Sequence, residues 1–367
     1  MGAHVDAVMD GAITNEKIVG AELVVLRDGV EIVRRTAGFF DREAGTPMPG
    51  NAIYRLASVT KPIVAAATLA MVEKGLIGLD DLVSDHLPYF TPRLEDGAFA
   101  PITVHHLLTH TSGLAYAYPE TPEICRGLGP GEKNFDENFS LVAQQKLLFA
   151  PGTGWTYSVA IDVLGALLAQ VHGGDLEDAV RTYVTGPLGM TETGFLIADK
   201  ARLAKPYADG TPPYPMGDPE TIENENGGPT TFSPSRIFST KAFQSGGAGM
   251  AGTPSDIAHF LETLRTGGGP MLSREIVELG FSNRIGDLPR DDAGQRFGYF
   301  GAVIDDPVAA SSPSARGTVN WGGVYGHSWL VDPANRLTIV SMSNTALEGC
   351  TGRYPKDLIR AVYADLG

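Results

Sequence analysis

The sequence predicts an α+β fold: an antiparallel β-sheet flanked by helices and drawn from both ends of the chain, with a mostly helical domain inserted between those ends. Three observations predict it. Two β-rich runs stand near the start, at Val19 to Arg27 and Glu31 to Gly38; strand patterns return late, from Phe297 onward; and the stretch between reads as helix broken by Pro- and Gly-rich loops. The expected division is 1–84 with 236–367 for the sheet domain and 85–235 for the insertion. A chain of 367 residues, 43% of them hydrophobic, can bury the core this arrangement needs.

Each element has a local cause. Val5, Val8, Met9 and Ile13 recur at helical spacing and predict an amphipathic surface helix. Arg27-Asp28-Gly29 joins the first two strand runs, because Asp-Gly supplies the positive φ angles of a tight hairpin turn. Pro62 to Lys74 is apolar on nearly every side, which predicts a buried helix, and Gly75 stops it. Ala208 to Asn226 is the most conspicuous Pro- and Gly-rich loop of the insertion. Phe297 to Ile304, Thr318 to Gly323, Ser328 to Val331 and Leu337 to Ser343 read as strands, and Pro355 to Leu366 as a closing amphipathic helix.

Charge and cysteine content exclude several functions. The formal net charge of −15, with no cluster of Lys or Arg, sets the chain against phosphate backbones and anionic lipid, so neither nucleic acid nor membrane is expected as a partner. The longest uncharged apolar stretch, Ile63 to Val72, is too short to span a bilayer. Cys125 and Cys350 form no CxxC pair, and the N-terminus lacks a basic and then apolar leader, which together point to the cytoplasm.

Three short motifs can carry chemistry. In Ala57-Ser58-Val59-Thr60-Lys61 an extended segment turns into the buried helix, so Ser58 lies at a helix N-terminus and Lys61 stands on the same face, within reach as its base. About one S-x-x-K match is expected by chance in a chain this long, and its placement is what distinguishes this one. Tyr157, in Trp155-Thr156-Tyr157-Ser158-Val159, sits where a turn enters the helix Ile161 to Val171; an amine neighbour would let it lose or share its proton. Asn320-Trp321-Gly322-Gly323-Val324 falls between two strand runs, where glycines admit close approach of a ligand or backbone. Its Val324 N–H, with the N–H of Ser58, could hold an oxyanion.

In this order and with these separations, Ser58-x-x-Lys61, Tyr157-Ser158-Val159 and Trp321-Gly322-Gly323 resemble the motifs of the serine β-lactamase and penicillin-binding-protein superfamily. More narrowly, they resemble the family VIII carboxylesterases, which have a class C β-lactamase fold. Val104 to Leu114, Ser245 to Met250 and Val331-Asp332-Pro333 resemble that family too. The resemblance implies an acyl-enzyme on Ser58, an activating Lys61, a general base at Tyr157, a pocket tyrosine at Tyr116, and no cofactor. Two positions depart from the β-lactamase pattern. Val159 replaces a substrate-binding Asn, and Trp321 replaces a Lys or His that engages a substrate carboxylate. Both put apolar surface where polar contacts would be, which disfavours an anionic β-lactam and favours a neutral small-molecule ester. The third motif could also be read at His327-Ser328-Trp329, although Trp329 would then stand where the family needs glycine.

Two other patterns are decoys. Gly247-x-Gly249-x-x-Gly252 matches a dinucleotide fingerprint but follows no apolar strand, so a backbone loop near the site is expected instead. His106 and His110 are four apart, yet no third ligand is clearly placed; we assign no metal and expect packing or capping.

Overall fold

The computed structural model describes residues 2–197, 199–223 and 228–367. Helix α1 (Ala3–Thr14) leads into β1 (Gly20–Arg27) and β2 (Val30–Asp41), with Asp28 and Gly29 at φ 55° and 79° in the turn that Asp-Gly predicted. Short β3 (Thr46–Pro47) and β4 (Tyr54–Arg55) follow, and then α2 (Thr60–Glu73), buried from Thr60 to Met71. The inserted stretch holds α3 (Val83–His86), α4 (Val104–Leu108), α5 (Phe135–Ala143), α6 (Ala160–His172) and α7 (Leu176–Val180). Long loops join them, and two small hairpins come after: β5 (Tyr207–Ala208) with β6 (Tyr214–Pro215), and β7 (Glu220–Ile222) with β8 (Thr230–Phe232).

The remainder returns to the sheet. β9 (Ala251–Gly252) pairs with β4, and α8 (Pro254–Arg265) and α9 (Arg274–Phe281) precede β10 (Gln295–Phe297), β11 (Ala302–Ile304), β12 (Val319–Gly323), β13 (His327–Asp332) and β14 (Leu337–Ser343). Helices α10 (Ala346–Cys350) and α11 (Arg353–Leu366) close the chain. The eight-stranded sheet runs β10-β11-β12-β13-β14-β1-β2-β3, with antiparallel pairing throughout. Its strands all lie outside residues 85–235, which is our ground for proposing the domain division at those bounds.

One predicted strand divides. Phe297 to Ile304 folds back on itself as β10 and β11, because Gly298 and Gly301 make the reversal: the Gly298 N–H donates to the Gly301 carbonyl at 2.9 Å. A Cβ on Gly298 would stand 2.4 Å from the Gly280 carbonyl oxygen, so no other residue fits there.

Strand β1 shows how the layers form. Ala21, Leu23 and Val25 face a core with α1 and α11, contributed by Val5, Met9, Leu358 and Val362. Val24 faces the opposite way, into the larger core built on α2, α6 and α8. Period-two alternation therefore feeds two cores from one strand, and each fully buried Val or Leu contributes roughly 1.5–3 kcal/mol. The larger core is what fixes α2, and with it the turn that carries Ser58.

Candidate active site

The chain enters the Ser58 turn under strain. Ala57 has φ 44°, a left-handed conformation costly for a residue with a Cβ, and a 3-10 turn over Ala57–Val59 then runs into α2. What holds the turn is visible on both sides. The Leu56 N–H donates to the Met250 carbonyl at 2.9 Å, and the buried His327 ring donates through Nε2 to the Arg55 carbonyl at 2.7 Å. His327 thus braces the segment before Ser58 from behind, and its ring makes no hydrogen bond to Ser58. Trp321 turns its indole Nε1–H to the Tyr157 hydroxyl at 3.4 Å.

Ser58, Lys61 and Tyr157 come together. The Ser58 Oγ lies 3.1 Å from Lys61 Nζ and 2.7 Å from the Tyr157 hydroxyl. Lys61 Nζ also donates to the Gly247 carbonyl at 2.7 Å and stands 4.7 Å from the Tyr157 ring centroid. Burial pushes the Lys61 ammonium below its ordinary range, against the opposing pull of Tyr116 and Asp162. Burial also pushes the Tyr157 phenol up, more than its hydrogen bonds to Ser58 and Trp321 pull it down. Desolvation therefore works against the proton sharing that an amine neighbour would favour. Trp321 donates to Tyr157, Tyr157 to Ser58, and Lys61 to both Ser58 and the Gly247 carbonyl.

The other predicted residues fall around this set. Tyr116 stacks on Tyr157, with ring centroids 5.4 Å apart and planes at 15°, and burial raises its phenol to about 12. Gly323 abuts the Ser58 turn so closely that a Cβ would stand 2.3 Å from the Leu56 carbonyl oxygen, and Gly322 similarly backs onto the Cys350 sulfur. This contact sets the end of β12 against the Ser58 turn, and no backbone or side-chain acceptor among the described residues claims the N–H of Ser58 or of Val324. Val159 is the exception. It is 1% exposed and packed in the core, so it offers substrate almost no surface. The decoys resolve as well: His106 caps α4 by accepting the Thr103 N–H at 3.1 Å, and His110 lies beyond that helix, packed on Tyr157 with centroids 4.7 Å apart.

Two supporting groups escaped the sequence reading. Asp162, buried in the first turn of α6, accepts the Gly247 N–H at 3.1 Å and the Ser245 hydroxyl, so it fixes the carbonyl that holds Lys61. A Cβ on Gly247 would fall 2.3 Å from Asp162 Oδ2, which is why the Gly-rich run stands here. Arg290, with a side chain 1% exposed, lies 4.3 Å from the Trp155 ring centroid and backs an aromatic wall that runs through Phe297 to Trp321. The signal for Asp162 was a carboxylate inside an otherwise apolar helix; for Arg290 there was none.

A large antiparallel sheet flanked by helices, with a serine, a lysine and a tyrosine in hydrogen-bond reach at the start of a buried helix, is the architecture of the active-site serine hydrolases that use no histidine base. The β-lactamase family profile matches residues 5–364, and the chain belongs to that family. It is 44% identical to esterase EstB of Burkholderia gladioli, over 99% of this chain and 95% of that one. It is 25% identical to a monacolin J acid methylbutanoyltransferase of Aspergillus terreus, over 87% of this chain and 83% of that one. Among solved structures it is similar to EstCE1, described as a hydrolase with promiscuous acyltransferase activity, with a TM-score of 0.94 and 39% identity, covering 98% of this chain and 97% of that one.

Proposed function

We propose that the protein is a serine carboxylesterase of the family VIII type that hydrolyses short-chain esters of small molecules through an acyl-enzyme on Ser58. The observation that carries this is the hydrogen-bonded Ser58, Lys61 and Tyr157 set, flanked by an indole where the β-lactamases place a cation. As Ser58 Oγ bonds to the ester carbon, its proton passes to Lys61 and the carbonyl oxygen gathers charge at the N–H groups of Ser58 and Val324. The carbon–oxygen bond to the alcohol then breaks, the leaving oxygen takes the Tyr157 proton, and Lys61 returns one to Tyr157. Water repeats the sequence on the acyl-enzyme and releases the acid. Because Lys61 and Tyr157 share the proton, they act as one coupled base.

No helix among the described residues is long and apolar enough to cross a membrane, and the unpaired cysteines Cys125 and Cys350 fit a reducing cytoplasm. Turnover of p-nitrophenyl butyrate, compared with nitrocefin and a D-alanyl anilide, tests the reading. Ester turnover should dominate, and a strong preference for the anilide would overturn it. The acyltransferase activity in EstCE1's description favours one second reading, that the acyl-enzyme also passes its acyl group to an alcohol. In that case an added alcohol should divert product from acid to new ester.

A further inference from the structure

Residues 154–158 belong to no helix or strand, so Tyr157 stands wherever the bonds of that segment put it. The peptides on both sides of it bond to one residue, His110. The Thr156 N–H donates to the His110 carbonyl at 3.1 Å, and the Ser158 N–H donates to Nδ1 of the His110 ring at 3.2 Å, with the Ser158 hydroxyl also 3.2 Å from that nitrogen. The same ring packs on the Tyr157 ring and stands T-shaped against Phe297, 5.5 Å between centroids. On either side the joins are main chain to main chain: the Gly152 N–H donates to the Thr111 carbonyl and the Val159 N–H to the Ala115 carbonyl. At Ser158 a side chain supplies the acceptor instead.

Two features of His110 exceed what packing requires. A backbone N–H only donates, so Nδ1 must keep its lone pair and the ring proton stands on Nε2. Burial favours this neutral ring, holding its pKa well below the ordinary range, and the charges of Lys61 and Arg290 act in the same direction. The backbone of His110 has φ 59°, a left-handed conformation that a residue with a Cβ keeps only where its surroundings hold it. Packing alone calls for neither a ring nitrogen nor that backbone. Placement matters most for Tyr157, whose hydroxyl lies 2.7 Å from Ser58 Oγ and must also meet the oxygen of the leaving alcohol. A displacement of about 1 Å in such a group costs on the order of a hundredfold in rate.

Resting on the esterase reading, we propose that His110 is a positioning residue for the proton delivery: through the Ser158 N–H and its own ring face it aims the Tyr157 hydroxyl at the oxygen of the departing alcohol. Two esters of one acid test it. As its bond to the acyl carbon breaks, the oxygen of ethyl butyrate must take the Tyr157 proton, which Lys61 then replaces; p-nitrophenyl butyrate loses a phenolate that leaves without one. In His110→Phe, which keeps a ring but no acceptor, kcat/KM should fall about tenfold or more for the ethyl ester and less than about threefold for the p-nitrophenyl ester. His110→Asn offers a side-chain oxygen in place of Nδ1 and tolerates the left-handed backbone, so it should restore most of the ethyl ester rate. Added to Tyr157→Phe, His110→Phe should lose nothing further on ethyl butyrate. His110→Gly, which suits the backbone and also lacks the acceptor, is read in the same way if the phenylalanine variant does not fold. Equal losses on the two esters, no loss on either, or an asparagine variant no better than the phenylalanine one would reduce His110 to packing and overturn the proposal, with the esterase reading intact. Turnover of neither ester by the unmodified protein would overturn the esterase reading, and the proposal with it.

Discussion

The two sides of Ser58 are built on different physics. On the lysine side every contact is buried and fixed by the main chain: Lys61 donates to the Gly247 carbonyl, whose own N–H is held by Asp162. On the tyrosine side the contacts are ring faces, with Tyr157 between the half-exposed Tyr116 and Trp321 and the buried His110. Under the proposed mechanism the lysine accepts a proton, which a desolvated site with a fixed dipole suits, and the tyrosine delivers one to a leaving alcohol, which half-exposed surface beside it suits.

Breaking either side should have the same consequence if the two act as one base. Ser58→Ala, Lys61→Ala and Tyr157→Phe should each lower kcat about a hundredfold or more, and Lys61→Ala with Tyr157→Phe should lose little beyond either alone. Additive losses in stopped or continuous ester assays would separate the two residues. Because Lys61 must be unprotonated to accept from Ser58 and burial has lowered its pKa, activity should rise with pH and level off below the ordinary lysine range.

A milder break sharpens the lysine side alone. Asp162→Asn keeps an acceptor for the Gly247 N–H but removes the negative charge that favours the Lys61 ammonium. The acid limb of kcat/KM should therefore move to lower pH, with a loss of about tenfold at most. Asp162→Ala, which also frees the Gly247 carbonyl, should cost more. An unmoved pH profile in the Asn variant would reduce Asp162 to a packing role.

The comparison also marks how far the sequence could be read. Ser58, Lys61, Tyr157 and Trp321 were legible because each sits at a junction of patterns: strand to helix, turn to helix, or a glycine pair inside a strand. The central strands were legible because one face of β1 and β14 feeds each core at period two. Asp162 was not, since its partners lie 83 and 85 residues away and Ile161 and Val163 hide it in an apolar run. Arg290 was not either, because stacking on Trp155 leaves no local periodicity. Helix α8 was legible in principle, since Thr253 accepts the Asp256 N–H at 3.3 Å and Pro254 stands at the first position, yet the sequence reading did not single it out.

The smallest expected effect concerns His327, which serves neither side and only braces the strand behind Ser58. Its ring is 1% exposed, and burial lowers its pKa from the ordinary 6.5 to about 4. Above pH 6.5 neither the native nor the unfolded chain protonates it, and its contribution to stability is whole. As pH falls from 6.5 toward 4 the unfolded chain takes up a proton that the native ring refuses, so stability is lost by about 2 kcal/mol at pH 5 and about 3 kcal/mol below pH 4. His327→Gln can still offer an N–H to the Arg55 carbonyl but cannot titrate. Its melting temperature should therefore fall less between pH 7 and pH 5 than that of the unmodified protein. Half-buried His105, also lowered to about 4, titrates in the same window but is present in both chains and cancels in the difference. Ester turnover at pH 7.5 should stay within a few-fold. If it collapsed in a folded His327→Gln while Tyr157→Phe kept its rate, the base would be the histidine, and the division of labour around Ser58 would have to be redrawn.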